Sequence, residues 1–305
     1  MALNRIFLKT VKVLSNHDTD IKKYYKIERK IRKIAGGSTK YRYENISIWA
    51  DDHYIPLRIY YPYNPIPDNA ILFFHGGGWV TGDIASYNRT CINLSEQTKH
   101  IVISVDYRLA PEHKFPAGLN DCYFAARELF AGRILNIPCE NITLAGDSAG
   151  GNLAASVSLM ARDRGEFSPP RQILIYPAVN NDYSESSPFE SVIKYGDNFL
   201  LTRKKINDYI ELYLPNISEK NNPYFAPLLA ENFANQPDTL IITAEFDPLR
   251  DEGEEYGRRL AASGNYVEIY RIKEALHGFF SFSPKFFSVM QCYEYINKFL
   301  SIRNE

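Results

Sequence analysis

The chain has 305 residues, 45% of them hydrophobic and 23% charged, which is the composition of an ordinary folded protein. Its 35 Lys and Arg almost balance its 36 Asp and Glu, and this argues against a protein that mainly neutralises nucleic-acid phosphates. The four cysteines are scattered without metal-ligand spacing. The composition therefore excludes a disordered chain and a disulfide framework, and it favours a reducing, cytoplasmic location.

The first 42 residues are strongly basic, with 12 Lys and Arg against three Asp and Glu. Lys9 and Lys12 interrupt the initial apolar run before it reaches the length of a signal-peptide core. Residues 21–34 carry apolar side chains at helical spacing and predict a helix that ends at Gly36-Gly37. Its charge fits either a solvated helix face or a contact with an anionic surface. No stretch reaches the roughly 18 apolar residues of a membrane span, so stable membrane insertion is not expected.

From residue 46 onward, short β-branched and apolar runs alternate with longer helix-like segments. This rhythm predicts a mostly parallel eight-stranded sheet with helices on both faces. The predicted strands are 46–49, 57–61, 70–74, 101–105, 142–145, 172–176, 239–244 and 267–271, and the predicted helices include 120–131, 152–164, 252–262 and 286–300. Only Asp51-Asp52-His53 separates the first two strands, so we expect them to form an antiparallel hairpin.

One interval, between the strands ending at 176 and starting at 239, is too long for a simple crossover. It predicts an inserted cap with a helix around 203–214. The expected division is therefore an N-terminal cap segment (1–45), an α/β core (46–180), a cap insertion (181–220) and the rest of the core (221–305).

The pentapeptide Gly146-Asp147-Ser148-Ala149-Gly150 lies between a predicted strand and a predicted helix. A tight strand-to-helix turn strains its central residue and favours glycine on either side. Such a turn lifts the serine hydroxyl above the sheet, as in the G-x-S-x-G nucleophile elbow. Taken alone, the pentapeptide fits a chance match or a phosphate loop as well as it fits a nucleophile elbow. Its position between a strand and a helix favours a nucleophile at Ser148.

A second motif, His75-Gly76-Gly77-Gly78-Trp79, directly follows the predicted strand 70–74. Three consecutive glycines are costly in any regular element, which indicates that bare backbone is needed there. We expect the N–H groups of Gly76 and Gly77, together with that of Ala149, to donate to an oxyanion. The alternative is a phosphate-binding loop, but neither GxxxxGK[ST] nor a well-placed GxGxxG follows.

A serine nucleophile needs a general base, because a free hydroxyl attacks poorly at neutral pH. Of six histidines, only His277 follows the last predicted strand and leaves room for an acid after Ser148, which is the order of this type of triad. Asp247, beyond the strand 239–244, is the predicted acid. Glu245 and Asp251 are alternatives, although Asp251 better suits a helix N-terminal charge.

The chain resembles the hormone-sensitive-lipase-like family of α/β-hydrolase esterases, in particular its bacterial acetyl esterases. The segments that carry the resemblance are HGGGW (75–79), DYRLAPEHKFPA (106–117), GDSAGGN (146–152), DPLRDEG (247–253) and HGF (277–279). The early segment YYKIERKIRKIAG is also similar to the N-terminal cap of acetyl-esterase-type members.

This resemblance implies an α/β-hydrolase fold whose N-terminal segment and insertion form a helical cap. It implies a serine carboxylesterase that hydrolyses short-chain, acetyl-like esters of small molecules through an acyl-enzyme, with no metal or organic cofactor. The near-neutral net charge predicts no nucleic-acid partner. Ser148 would be the nucleophile and Asp247 and His277 its partners. Gly76, Gly77 and Ala149 would be the oxyanion donors.

Three aromatic residues, Trp79, Tyr195 and Phe279, are predicted to line the substrate pocket, although aromatic residues near a core are more often packing. Trp79 stands where the family usually has Phe. Two alternatives stay open: an amidase or formamidase that uses the same triad, and a non-catalytic ligand-binding protein of the same fold. The presence of all three triad residues argues against the second. The oligomeric state is not indicated by the sequence.

Overall fold

A central eight-stranded sheet organises the protein, whose computed structural model describes residues 20–36, 41–197 and 199–301. The strands are β1 (Tyr43–Ala50), β2 (His53–Tyr60), β3 (Ala70–Phe74), β4 (Ile101–Val105), β5 (Ile142–Asp147), β6 (Arg171–Ile175), β7 (Asp238–Phe246) and β8 (Val267–Leu276). They lie in the order β1-β2-β4-β3-β5-β6-β7-β8. β2 is antiparallel to β1 and β4, and the other neighbours are parallel, which confirms the predicted sheet.

Helices cover both faces of this sheet. They are α1 (Ile21–Gly36), α2 (Asn88–Thr98), α3 (Ala117–Phe130), α4 (Ala149–Arg164), α5 (Glu190–Tyr195), α6 (Arg203–Tyr213), α7 (Arg250–Ala262) and α8 (Phe287–Ser301). α3, α4 and α7 contribute to the apolar core on one face, and α2 and α8 to the core on the other. None of the helices in the described ranges has the length and apolarity needed to cross a membrane.

The burial of each strand explains its sequence. Every residue of β3, β5 and β6 is buried, because parallel strands between two helical layers have no solvent face. β3 is consequently a continuous apolar run, whereas β5 and β6 also bury polar side chains, among them Thr143, Arg171 and Gln172. The edge strand β1 is mostly exposed, and a turn at Asp51 and Asp52 joins it to β2, so the predicted hairpin is confirmed.

Two helices escaped prediction for different reasons. In α2, several inward positions are small polar residues, including Thr90, Ser95 and Thr98, so the apolar periodicity that marks a helix is weak. α5 has only six residues, too few to show a period. The predicted insertion helix is found as α6, which begins after Thr202, whose side chain accepts a hydrogen bond from the Lys205 amide.

Helices from the two predicted cap segments lie against each other and against the core. Lys22 of α1 forms an ion pair with Glu211 of α6. The Ser191 amide of α5 donates a 2.7 Å hydrogen bond to Asp251 of α7. The cap boundaries at 45, 181 and 220 stay predictions, although β1 already begins at Tyr43. Residues 1–19 and 37–40, including the expected helix end at Gly37, lie outside the described residues.

Candidate active site

Ser148 lies at the turn between β5 and α4 with φ 56° and ψ -120°, a strained conformation for a residue with a side chain. Its two flanking glycines are required by close backbone contacts. A Cβ on Gly146 would lie 2.2 Å from the Gly150 carbonyl oxygen, and one on Gly150 would lie 1.9 Å from the Phe74 carbonyl oxygen. The turn therefore has the tightness that the pentapeptide predicted.

His277 bridges Ser148 and Asp247. Its Nε2 lies 2.9 Å from the Ser148 Oγ, and its Nδ1 lies 2.7 Å from Oδ2 of Asp247. Asp247 is completely buried, and its Oδ1 accepts a 2.9 Å hydrogen bond from the Leu249 amide. A neutral imidazole that donates its Nδ1 proton to this carboxylate would present an unprotonated Nε2 to the serine hydroxyl.

The two alternative acids make other contacts. Glu245 accepts a 2.7 Å hydrogen bond from the Glu274 amide, which joins the ends of β7 and β8. Asp251 accepts hydrogen bonds from Ser191 and from the Arg250 guanidinium, in the first turn of α7. Of the three candidate acids, Asp247 is therefore the one that lies beside His277.

The glycine loop after β3 differs from its predicted arrangement. The Gly76 amide donates a 2.8 Å hydrogen bond to Oδ1 of Asp147, so this N–H is directed at a buried carboxylate and not at a substrate oxyanion. The prediction for Gly76 as an oxyanion donor is therefore corrected. Gly77 and Gly78, with φ 119° and 62°, line the cavity above Ser148 together with Ala149.

Asp147 is a buried acid that the sequence analysis did not assign. Its Oδ2 accepts hydrogen bonds from the hydroxyls of Tyr87 (3.1 Å) and Tyr176 (3.3 Å). Burial raises the pKa of Asp147, and the Gly76 amide and the two tyrosine hydroxyls oppose that rise. The sequence shows this acid inside the pentapeptide. No sequence pattern indicates its three hydrogen-bond partners, because they lie in separate loops.

A cavity of about 420 Å³ opens over Ser148 and His277. Trp79 lines this cavity and is fixed by a 3.2 Å hydrogen bond from its Nε1 to Asn152 and by stacking on Tyr213. The other two predicted pocket residues lie elsewhere. Tyr195 packs against Phe199 and Phe246, outside this lining. Phe279 is buried beneath the site, edge-on to Tyr176.

The cap supplies the rest of this cavity's walls. From α1 come Ile21 and the ion pair between Glu28 and Arg32, whose closest atoms are 2.7 Å apart. From α6 and the segment before it come Leu200, Leu201, Lys205, Ile206 and Tyr209. The sequence predicts a cap here, but it does not indicate these residues, because α1 and α6 are far apart in the chain and meet only in the folded protein.

Comparisons with known proteins agree with this arrangement. Residues 71–281 match the family model described as the alpha/beta hydrolase fold. The chain is 38% identical to an arylesterase of Saccharolobus solfataricus over 79% of this chain and 78% of that protein, and 35% identical to an ethyl acetate hydrolase of Pseudomonas putida over 75% and 72%. A solved structure, that of a hyperthermophilic esterase from the archaeon Pyrobaculum calidifontis, superposes with a TM-score of 0.86 at 35% identity and covers 98% of each chain.

The chain belongs to the α/β-hydrolase family. The resemblance to hormone-sensitive-lipase-like esterases is confirmed, as is the predicted enzyme class, a carboxylic-ester hydrolase acting on small-molecule esters.

Proposed function

We propose that this protein hydrolyses short-chain carboxylic esters by transferring the acyl group to Ser148, with His277 as general base and acid and Asp247 as its orienting carboxylate. The observation that carries this proposal is the continuous hydrogen-bonded series from the Ser148 Oγ through the imidazole to the Asp247 carboxylate, with distances of 2.9 and 2.7 Å. It lies on the floor of a cavity large enough for a small ester.

The reaction proceeds in two halves. His277 Nε2 takes the Ser148 proton as Oγ attacks the ester carbonyl, and the resulting imidazolium gives this proton to the departing alcohol. Water then attacks the acyl-enzyme with the same proton transfers and releases the carboxylic acid. Asp247 keeps the imidazole in its productive tautomer and stabilises its positive charge in both halves.

The oxyanion donors in this proposal are the backbone N–H groups of Gly77, Gly78 and Ala149. Gly78 takes the place of Gly76 among the expected donors, because the Gly76 N–H already donates a hydrogen bond to Asp147. Ala149 is the first residue of α4, so the positive end of the helix dipole adds to its N–H group. A group of such donors stabilises the negative oxygen of the tetrahedral intermediate more than it stabilises the neutral carbonyl.

The preference for short acyl chains is supported by the size of the cavity. Its volume of about 420 Å³ must hold both the acyl and the alcohol group. Side chains of α1 and α6 take up part of its lining, and the similarity to an ethyl acetate hydrolase also supports a small substrate. The cytoplasmic location and the lack of a nucleic-acid partner stay predictions.

The test is hydrolysis of a p-nitrophenyl ester series from acetate to decanoate by the wild type and by Ser148→Ala. We expect kcat/KM to be highest for the shortest chains, and we expect Ser148→Ala to lower kcat by at least about 10⁴-fold without changing the far-UV circular dichroism. Retained turnover in the folded variant would contradict the assignment of Ser148. A maximum at decanoate would contradict only the proposed chain length.

A further inference from the structure

The cap helix α1 contacts the rest of the protein mainly through its polar face. The Arg29 guanidinium donates 2.7 Å hydrogen bonds to the carbonyl oxygens of Val80 and Ala110 and forms an ion pair with Glu112. Lys22 forms ion pairs with residues of α6. These contacts fix the orientation of the helix about its own axis.

Ile21 of α1 is buried and Tyr25 is partly buried, but four other apolar side chains of this helix face outward. Tyr24, Ile27, Ile31 and Ile34 are 49%, 54%, 61% and 81% exposed, and their spacing of three and four residues places them in one stripe along the helix. A surface helix usually buries such a stripe against the core. An exposed contiguous stripe of this kind indicates a surface that is covered by another partner.

The charge beside the stripe identifies the chemistry of that partner. Lys23, Lys26, Lys30 and Lys33 are exposed and lie on the neighbouring side of α1. A second copy bound through the same face would bring two rows of lysines together, and like charges repel. Residues 1–19 carry three basic residues and one acidic residue, so they do not complement this charge either. An anionic lipid surface offers both acyl chains for the stripe and phosphates for the lysines.

We propose that α1 docks this protein on membranes that contain anionic phospholipid, with Tyr24, Ile27, Ile31 and Ile34 in the interfacial layer and the lysine row at the headgroups. The helix would lie in the plane of the interface without crossing the membrane. Ile21, Glu28 and Arg32, on the other side of α1, line the cavity, so docking brings the cavity close to the lipid surface.

Flotation of the full-length protein with lipid vesicles tests this proposal. We expect the wild type to float with vesicles of equal parts phosphatidylcholine and phosphatidylglycerol at low salt, and to float much less with phosphatidylcholine alone or in high salt. Ile27→Gln/Ile31→Gln should lower the partition coefficient by at least about tenfold. Lys30→Gln/Lys33→Gln should lower it by about tenfold on the anionic vesicles only.

Two controls separate docking from other effects. Ile217→Gln changes an isoleucine that is 73% exposed and lies outside α1, so it should bind vesicles as the wild type does. Ser148→Ala should also bind normally, because docking does not depend on ester hydrolysis. Ile27 and Ile31 do not line the cavity, so their double variant should keep its activity on p-nitrophenyl acetate.

Three outcomes would overturn the proposal. The first is a wild type that does not float with anionic vesicles. The second is a dimer in light scattering that Ile27→Gln/Ile31→Gln converts to a monomer, since a second copy would then cover the stripe. The third is a large drop in the melting temperature of that variant, because the stripe would then be covered by the chain itself.

Discussion

The amide of Gly76 donates its hydrogen to Oδ1 of Asp147, 2.8 Å away, and so ties the glycine loop after β3 to the turn that holds Ser148. A Cβ on Gly76 would lie 2.8 Å from the Asp147 carbonyl oxygen, which leaves no room for another residue. The carboxylate is buried, and the hydroxyls of Tyr87 and Tyr176 fix its other oxygen. One buried acid thus connects the two halves of the proposed oxyanion site, the glycine loop and the turn at Ser148.

We therefore expect Asp147 to act as a positioning residue. Asp147→Ala should lower kcat by about 10²-fold with little change in KM, because displacement of the Gly77 and Gly78 amides affects the transition state more than the bound ester. Asp147→Asn should recover most of the lost rate, since its Oδ1 can still accept from Gly76. Kinetics on p-nitrophenyl acetate measure both. Equal losses in the two variants, or a change confined to KM, would argue against this role.

The assignment of the acid is tested by a matched pair of substitutions. Asp247→Asn should lower kcat/KM by about 10³- to 10⁴-fold, because an amide next to Nδ1 favours the wrong imidazole tautomer. Asp251→Asn should cost less than about tenfold, because Asp251 contacts Arg250 and Ser191 and lies away from His277. Both variants need a thermal-melting control. The opposite order of the two losses would transfer the role to Asp251.

Glu252 gives the folded protein a pH-dependent stability. Burial raises the pKa of this carboxyl to about 8, although Tyr183 and the Val179 and Asn180 amides donate to its Oε1 and oppose the rise. Its ordinary value is 4.5, so between these pH values the folded protein binds more protons than the unfolded chain. The contribution of this group to the free energy of unfolding therefore falls as the pH rises from 4.5 to 8.

Glu252→Gln removes this titration and keeps a carbonyl oxygen for the three donors. Relative to the wild type, its free energy of unfolding should rise between pH 5 and pH 8 by an amount on the order of 3 kcal/mol, and should level off above pH 8. Urea unfolding at pH 5, 6.5, 8 and 9 measures the difference. Glu231→Gln, at an exposed glutamate, should show no such trend. A difference that does not vary with pH would contradict the raised pKa.

Much of the fold was readable because it depends on local pattern. A continuous apolar run marked β3, and shorter apolar runs marked β5 and β6, since strands buried on both faces are mostly apolar. α2 was missed because the positions it buries include Thr90, Ser95 and Thr98. The hydroxyls of Ser95 and Thr98 donate to backbone carbonyl oxygens inside the protein. Hydrophobic periodicity does not detect a helix of that kind.

The sequence by itself determined the turn at Ser148, because neighbouring backbone leaves no space for a Cβ at positions 146 and 150. It also determined which histidine follows the last strand. Tertiary structure alone decided that Asp247 and not Glu245 or Asp251 reaches His277, and that the Gly76 amide belongs to Asp147. It also decided that α1 buries Ile21 and turns Tyr24, Ile27, Ile31 and Ile34 outward. These outcomes depend on contacts between loops that are far apart in the chain. No local sequence pattern indicates which donor a buried carboxylate will contact.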